Sequence, residues 1–205
     1  MLKANFITAQ EAAEKIQDGS TLCTIGMTLV SASESILKAI EKRFETVVKG
    51  GTVTAANSSS LNDGAAAVVV MSKEKAEELG VTPKMKIEGY AIAGFDAELM
   101  GYSPKFSSEK LANKLGVDLK SIDMFEINEA FASQAYAVSR DLGLDPEKVN
   151  IYGGGISIGH PIGATGAMLT VKVMYELMRT DKKDAMISMC IGGGQGISMY
   201  FTKCE

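Results

Sequence analysis

The sequence predicts an α/β fold: a layered, mixed sheet of mostly parallel strands, with an antiparallel last strand and helices on both faces. Two patterns carry this expectation. After Pro83, short apolar runs suited to strands alternate with longer runs of helical period, the arrangement that builds helix-covered parallel sheets. The last two apolar runs are separated only by residues 192–196, too short a link for a crossover, so they should pair antiparallel. A hydrophobic fraction of 46% over 205 residues is enough for a buried core.

In chain order, Thr8 and Glu11 form a capping box that opens a short helix ending at Asp18 and Gly19, and residues 20–25 alternate as a strand. A second box, Ser31 to Glu34, opens a helix whose apolar positions Ile36, Leu37, Ile40 and Phe44 share one face. A boundary is expected near Val48, where charged helix gives way to glycine and then to small and hydroxyl residues. Residues 65–71 read as a buried strand, and Ser72 caps a helix that stops at Gly80. Then come a strand over 85–93, a helix over 108–115, a strand over 122–127, a helix over 130–142 and a strand near 149–152. The helix over 164–179 and closing strands over 185–191 and 197–201 complete the series.

Several function classes are disfavoured by composition. A net charge of -4 with interspersed signs leaves no basic stripe for nucleic acid. The longest apolar run is far short of the roughly 20 residues that a membrane-spanning helix needs, and the first residues lack the parts of a secretory signal. A cytoplasmic protein is expected. Cys23, Cys190 and Cys204 have no spacing suited to a disulfide framework or a zinc site, so free thiols and no metal are expected.

Ligands of open parallel sheets gather beyond the carboxyl ends of the strands, and three segments reach that edge: 127–132, 159–166 and 190–196. His160, the only histidine, precedes a helix whose amide end disfavours a cationic ring, so a neutral imidazole is expected, able to accept a proton or donate to developing negative charge. A histidine merely hydrogen-bonded in a loop fits the same context. Cys190 ends a buried strand, where a thiol is commonly inert packing, but the following Gly192, Gly193 and Gly194 can bring backbone N–H groups up to an oxyanion. Asn128 reads either as a helix cap or as a holder of substrate or water. Glu129 reads as a first-turn acid with no proton transfer. The glycine runs match neither a dinucleotide fingerprint nor a phosphate-binding loop, and a Cys190, His160, Asn128 hydrolase triad is chemically admissible.

Taken together, Asn128-Glu129-Ala130-Phe131, the run Gly159-His160-Pro161-Ile162-Gly163-Ala164-Thr165-Gly166 and Cys190-Ile191-Gly192-Gly193-Gly194 resemble the thiolase family in order and spacing. Residues 51–55 leading into 61–67, and Met100-Gly101-Tyr102-Ser103-Pro104, extend the resemblance over about residues 50–203. It implies a thiolase C-terminal domain at 83–205 preceded at 48–82 by the end of the N-terminal one. It also implies acyl-CoA as substrate, in Claisen condensation or thiolysis, with no cofactor beyond the CoA thioester itself. His160 would activate the family's cysteine nucleophile and help hold an enolate oxygen, and Cys190 would move the α-carbon proton. Asn128 would orient a water, the Gly192 N–H would contribute to a second oxyanion hole, and Ser59 would contact the pantetheine arm.

Departures from the family pattern are Tyr152, Ala56, Ser60 and Lys105-Phe106, the first three expected to crowd the substrate loop. No segment resembles the surroundings of the family's acylated cysteine, and Cys23 in its strand is not a substitute. The chain is therefore expected to be inactive or nearly so alone, or to complement a polypeptide that supplies the missing thiolase N-terminal half, or to bind acyl-CoA without catalysis; self-association is expected. Residues 1–47, through Phe6-Ile7-Thr8-Ala9-Gln10-Glu11 and Ile36-Leu37-Lys38-Ala39-Ile40, resemble the opening of a family I CoA-transferase, which implies a fusion of two reading frames.

Overall fold

A computed structural model describes residue 53 and residues 55–204. The helix, strand and helix expected before residue 45, the boundary near Val48 and Cys23 lie outside the described residues. Residues Asn57–Glu205 form one compact unit, and the elements below belong to it.

Four strands make a single sheet: β1 (Met85–Gly94), β2 (Phe125–Ile127), β3 (Asp184–Gly192) and β4 (Gln195–Lys203), in the order β1-β4-β3-β2. β4 is antiparallel to both β1 and β3, whereas β2 and β3 are parallel. Three strands therefore run one way and the last runs against them, as expected. Because β4 is inserted between β1 and β3, only β2 and β3 form a parallel ladder within the sheet. The insertion follows from a two-residue hairpin: Gly193 and Gly194 have φ of 58° and 80°, a conformation that glycine adopts without strain and that matches strand twist.

Five helices accompany the sheet: α1 (Lys73–Glu78), α2 (Ser103–Leu115), α3 (Ala132–Asp141), α4 (Gly155–Ile158) and α5 (Thr165–Arg179). Strand alternation sends Met186 and Tyr200 to one face, where they pack with Leu111 of α2 and Ala135 and Val138 of α3. Ala185, Ile187 and Phe201 point the other way, against Leu169, Val173 and Leu177 of α5. Helices thus cover both faces. Among the described residues no helix is long and apolar enough to cross a membrane.

Several expected bounds shift for physical reasons. α2 begins at Ser103, not Ser108, because Pro104 sits in the first turn, where its missing N–H costs nothing. Ser107 and Ser108 are not its start; their hydroxyls lie 2.7 and 3.0 Å from the buried Ser198 hydroxyl of β4. β2 begins at Phe125, after a turn over Leu119–Ser121 capped by Asp118. The strand expected near 149–152 shrinks to a single parallel bridge between Phe125 and Val149. Asn150 ends it at φ 48°, using its side-chain amide to pair with the N–H and C=O of Ile127 in place of a backbone ladder.

The helix after Ser72 forms as expected, with the Ser72 hydroxyl accepting from Lys75 N and Gly80 at φ 63° beyond its end. Residues 65–71 are not the buried strand that their apolar run suggests. They carry no strand assignment, and Val69 and Val70 are 86% and 69% exposed. Hydrophobicity sets a tendency to pair, but a strand needs a neighbour with a free edge. Val69→Asp is expected to raise solubility and reduce self-association while changing stability by less than about 0.5 kcal/mol. Sedimentation velocity and thermal melts of both proteins check this.

Candidate active site

The parallel pair β2 and β3 places the ends of both strands at one edge. Ile127 is in register with Ser188, and Asn128 N donates to the Ser188 carbonyl at 2.9 Å, so Asn128 leaves β2 beside Met189 and Cys190 on β3. Asn128 does not cap α3, whose first residue is Ala132. Its amide, only 2% exposed, turns to His160, with Nδ2 3.3 Å from Nε2 of the imidazole.

Hydrogen-bond inventory assigns the tautomer of His160. The Thr165 hydroxyl donates to the Pro161 carbonyl at 2.9 Å, so its oxygen accepts from Nδ1–H of His160 at 2.6 Å. Nε2 is then the lone-pair nitrogen and accepts from the Asn128 amide. A hydroxyl partner can also rotate to donate, so the reverse tautomer, with Nε2–H exposed to an oxyanion, remains accessible without charging the ring. Burial pushes the imidazole pKa below its ordinary value. The ring is therefore neutral, as expected, and burial is the cause found here.

The segment carrying His160 is tied down at both ends. Asn62 Oδ1 accepts from His160 N at 3.1 Å, and α4 leads into Gly159. The Glu129 carboxylate accepts from Ile156 N at 3.2 Å, inside the first turn of α4, and from Asn150 Nδ2 at 2.7 Å. Glu129 thus serves the amino end of α4 instead of its own following helix. A Cβ at Gly154 would displace the Glu129 carboxylate from this position.

Cys190 is half-buried near the end of β3, and burial raises its thiol above the ordinary thiol range, so it is protonated at neutral pH. The ladder slips between Cys190 and Gly192, leaving Ile191 as an extra residue and Gly192 at φ 102°. Ser59 lies at the same edge, its N–H and hydroxyl both donating to the Ala130 carbonyl at 3.0 and 3.3 Å. A cleft of about 390 Å³ opens between residues 62–66 and 161–164, and Asn128, His160 and Cys190 do not line it.

Of the residues anticipated from sequence, Asn128 and His160 meet directly, Cys190 and Gly192 occupy the adjoining strand end, and Ser59 flanks the Asn128 loop. Thr165 and Asn62 were not anticipated. Thr165 carried a local signal, a hydroxyl in the first turn of a helix just after a histidine. Asn62 had none, because its partner lies 98 residues away.

Comparison with known proteins adds the ancestry. The family described as "Thiolase, C-terminal domain" matches residues 81–203, and "Thiolase, N-terminal domain" matches residues 13–74. The second match covers most of the segment expected to resemble a CoA-transferase, and that resemblance is not supported. An acetyl-CoA acetyltransferase of Paracoccus denitrificans is 44% identical over 204 residues, which is 95% of this chain and 52% of the relative. The crystal structure of the Bacillus anthracis acetyl-CoA acetyltransferase superposes with a TM-score of 0.74 at 46% identity, covering 76% of this chain and 40% of that one. A human mitochondrial 3-ketoacyl-CoA thiolase in complex with CoA gives 0.71 at 38% identity, covering 77% and 40%. This chain therefore spans between 40% and 52% of the length of these relatives.

Proposed function

Because this chain belongs to the thiolase family, we propose that its site enolises an acyl-CoA thioester, the half of a thiolase-type acyl transfer that makes or protonates the α-carbanion. The observation that carries this reading is the Asn128–His160 contact, with Nε2 held toward the amide by Thr165. In the Nδ1–H tautomer the amide donates to Nε2; in the reverse tautomer the Asn128 amide and Nε2–H are two neutral donors beside one another, which is what a developing enolate oxygen needs. The incoming thioester oxygen takes the place of Nε2 as acceptor of the amide hydrogen or of a water held on it. His160 gives up its Nδ1 proton to solvent and takes one from solvent on Nε2, Thr165 turns its hydroxyl from the Pro161 carbonyl to donate to Nδ1, and the ring donates from Nε2–H.

The Cys190 sulfur moves the α-proton. As thiol it protonates the enolate in the thiolysis direction; as thiolate it removes the proton in the condensation direction. The Gly192 N–H serves the second oxyanion site, and Ser59 borders the pantetheine arm. The domain boundary is set near Pro83. Transfer of the acyl group requires a nucleophile whose surroundings this sequence does not carry, so by itself the chain is proposed to exchange α-protons without completing transfer.

The test is deuterium incorporation into acetyl-CoA in heavy water, read by mass spectrometry, for the native chain and Cys190→Ala. Exchange is expected with the first and not with the second. Since burial raises the thiol pKa, the thiolate fraction grows about tenfold per pH unit below it. The rate should still be climbing between about pH 7 and 9. A folded native chain that exchanges nothing, or a rate flat over that range, defeats the reading.

A further inference from the structure

We propose that Lys172 and Glu126 are positioning residues for the Asn128–His160 pair, acting by clamping the turn at Gly153 from the body of α5. The inference rests on the function proposed for that pair and concerns residues outside it.

Glu126 is wholly buried on β2, and Lys172 is 17% exposed. The ammonium lies 2.8 Å from Glu126 Oε2 and donates also to the Gly153 carbonyl. Among the described residues Glu126 Oε1 has no hydrogen-bond partner. Burial drives this carboxyl up to about 7; Lys172 opposes the shift, and Glu129 and Glu176 add to it. A buried ion pair with one oxygen unpaired is costly, and well-packed apolar residues in its place are often as stable or more so. Core stability does not explain the pair, whereas its geometry accounts for it.

Thr165, Lys172 and Arg179 recur every seven residues, two helical turns, and so lie along one stripe of α5. Each holds a different point of the same returning segment. Thr165 receives His160 Nδ1, Lys172 takes the Gly153 carbonyl, and the Arg179 guanidinium stands 4.2 Å from the centre of the Tyr152 ring. Only the middle contact is anchored to β2, two residues before Asn128. Gly153 leads to Gly155, where a Cβ would come within 3.2 Å of Asn128 Oδ1, and from there one helical turn reaches Gly159 and His160. The clamp thus fixes, from one strand, both the amide and the backbone that delivers the imidazole.

A single histidine makes the test direct, because every imidazole signal in proton–nitrogen NMR belongs to His160. In the native chain the neutral ring should be the Nδ1–H tautomer, titrating below about 6.5. Lys172→Met is expected to give a mixture of tautomers and a midpoint moved up toward about 6.5, and the isosteric Glu126→Gln should do the same. Lys172→Arg, which can still donate to both acceptors, should restore much of the native signature. Val173→Ala serves as the control that lowers stability without moving the signals. Unchanged His160 signals in folded Lys172→Met or Glu126→Gln, or equal changes in Val173→Ala, overturn the proposal. If Lys172→Met fails to fold, the Glu126→Gln and Lys172→Arg spectra decide it. Shifted signals in a chain that exchanges no α-protons would keep the clamp and remove the functional reading.

Discussion

Replacing His160 by Ala is expected to slow α-proton exchange on acetyl-CoA by about 10²–10³-fold, the usual cost of losing one oxyanion donor. Asn128 stays in place because its backbone N–H is fixed to Ser188 at the end of the parallel ladder, so half of the polar pair survives. What disappears is the group that can change from lone pair to donor at the same point in space. His160→Gln should recover part of the loss, since its amide can donate but is not steered by Thr165. Rates from mass spectrometry at saturating acetyl-CoA, with circular dichroism confirming the fold, check this. A His160→Ala rate equal to native would show that the carbonyl oxygen is held elsewhere.

Leu177→Ala carries the largest expected loss of stability, about 2–5 kcal/mol. Leu177 is fully buried in the cluster formed by α5 with Met124, Ala185, Ile187 and Phe201. For a chain of this size the melting temperature should fall by roughly 5–15 °C. Tyr175→Ala on the same helix, 58% exposed, should change stability by no more than about 0.5 kcal/mol. Equal losses in the two variants would mean that α5 presents a different face to the sheet.

Most of α5 was legible in advance because a helix is a local object. Its apolar period, the Pro161 before it and the Arg179 at its end act within a turn or two, and the observed Thr165–Arg179 differs from expectation by one residue. The hairpin of β3 and β4 was legible for the same reason, through a link too short for a crossover, in which Gly192, Gly193 and Gly194 take positive φ. Residues 65–71 went the other way. Their composition was read as a buried strand, but burial is a relation between segments, and the described residues give this one no strand partner.

The site divides along the same line. Sequence by itself determined which chemical groups gather at the edge of the sheet, Asn128, His160 and Cys190, because the ends of β2 and β3 and the start of α5 are locally encoded. A neutral ring was expected from the helix end, but the burial that lowers its pKa belongs to the tertiary structure. Only the tertiary structure decided what each group faces: that Asn128 turns to His160 across 32 residues, that Glu129 serves a helix 27 residues on, and that Lys172 meets Glu126 at a separation of 46. The physical reason is range. Helical period, caps and turns are fixed by neighbours along the chain, whereas hydrogen bonds between side chains depend on register and helix rotation, which are settled only when the two apolar faces of the sheet close.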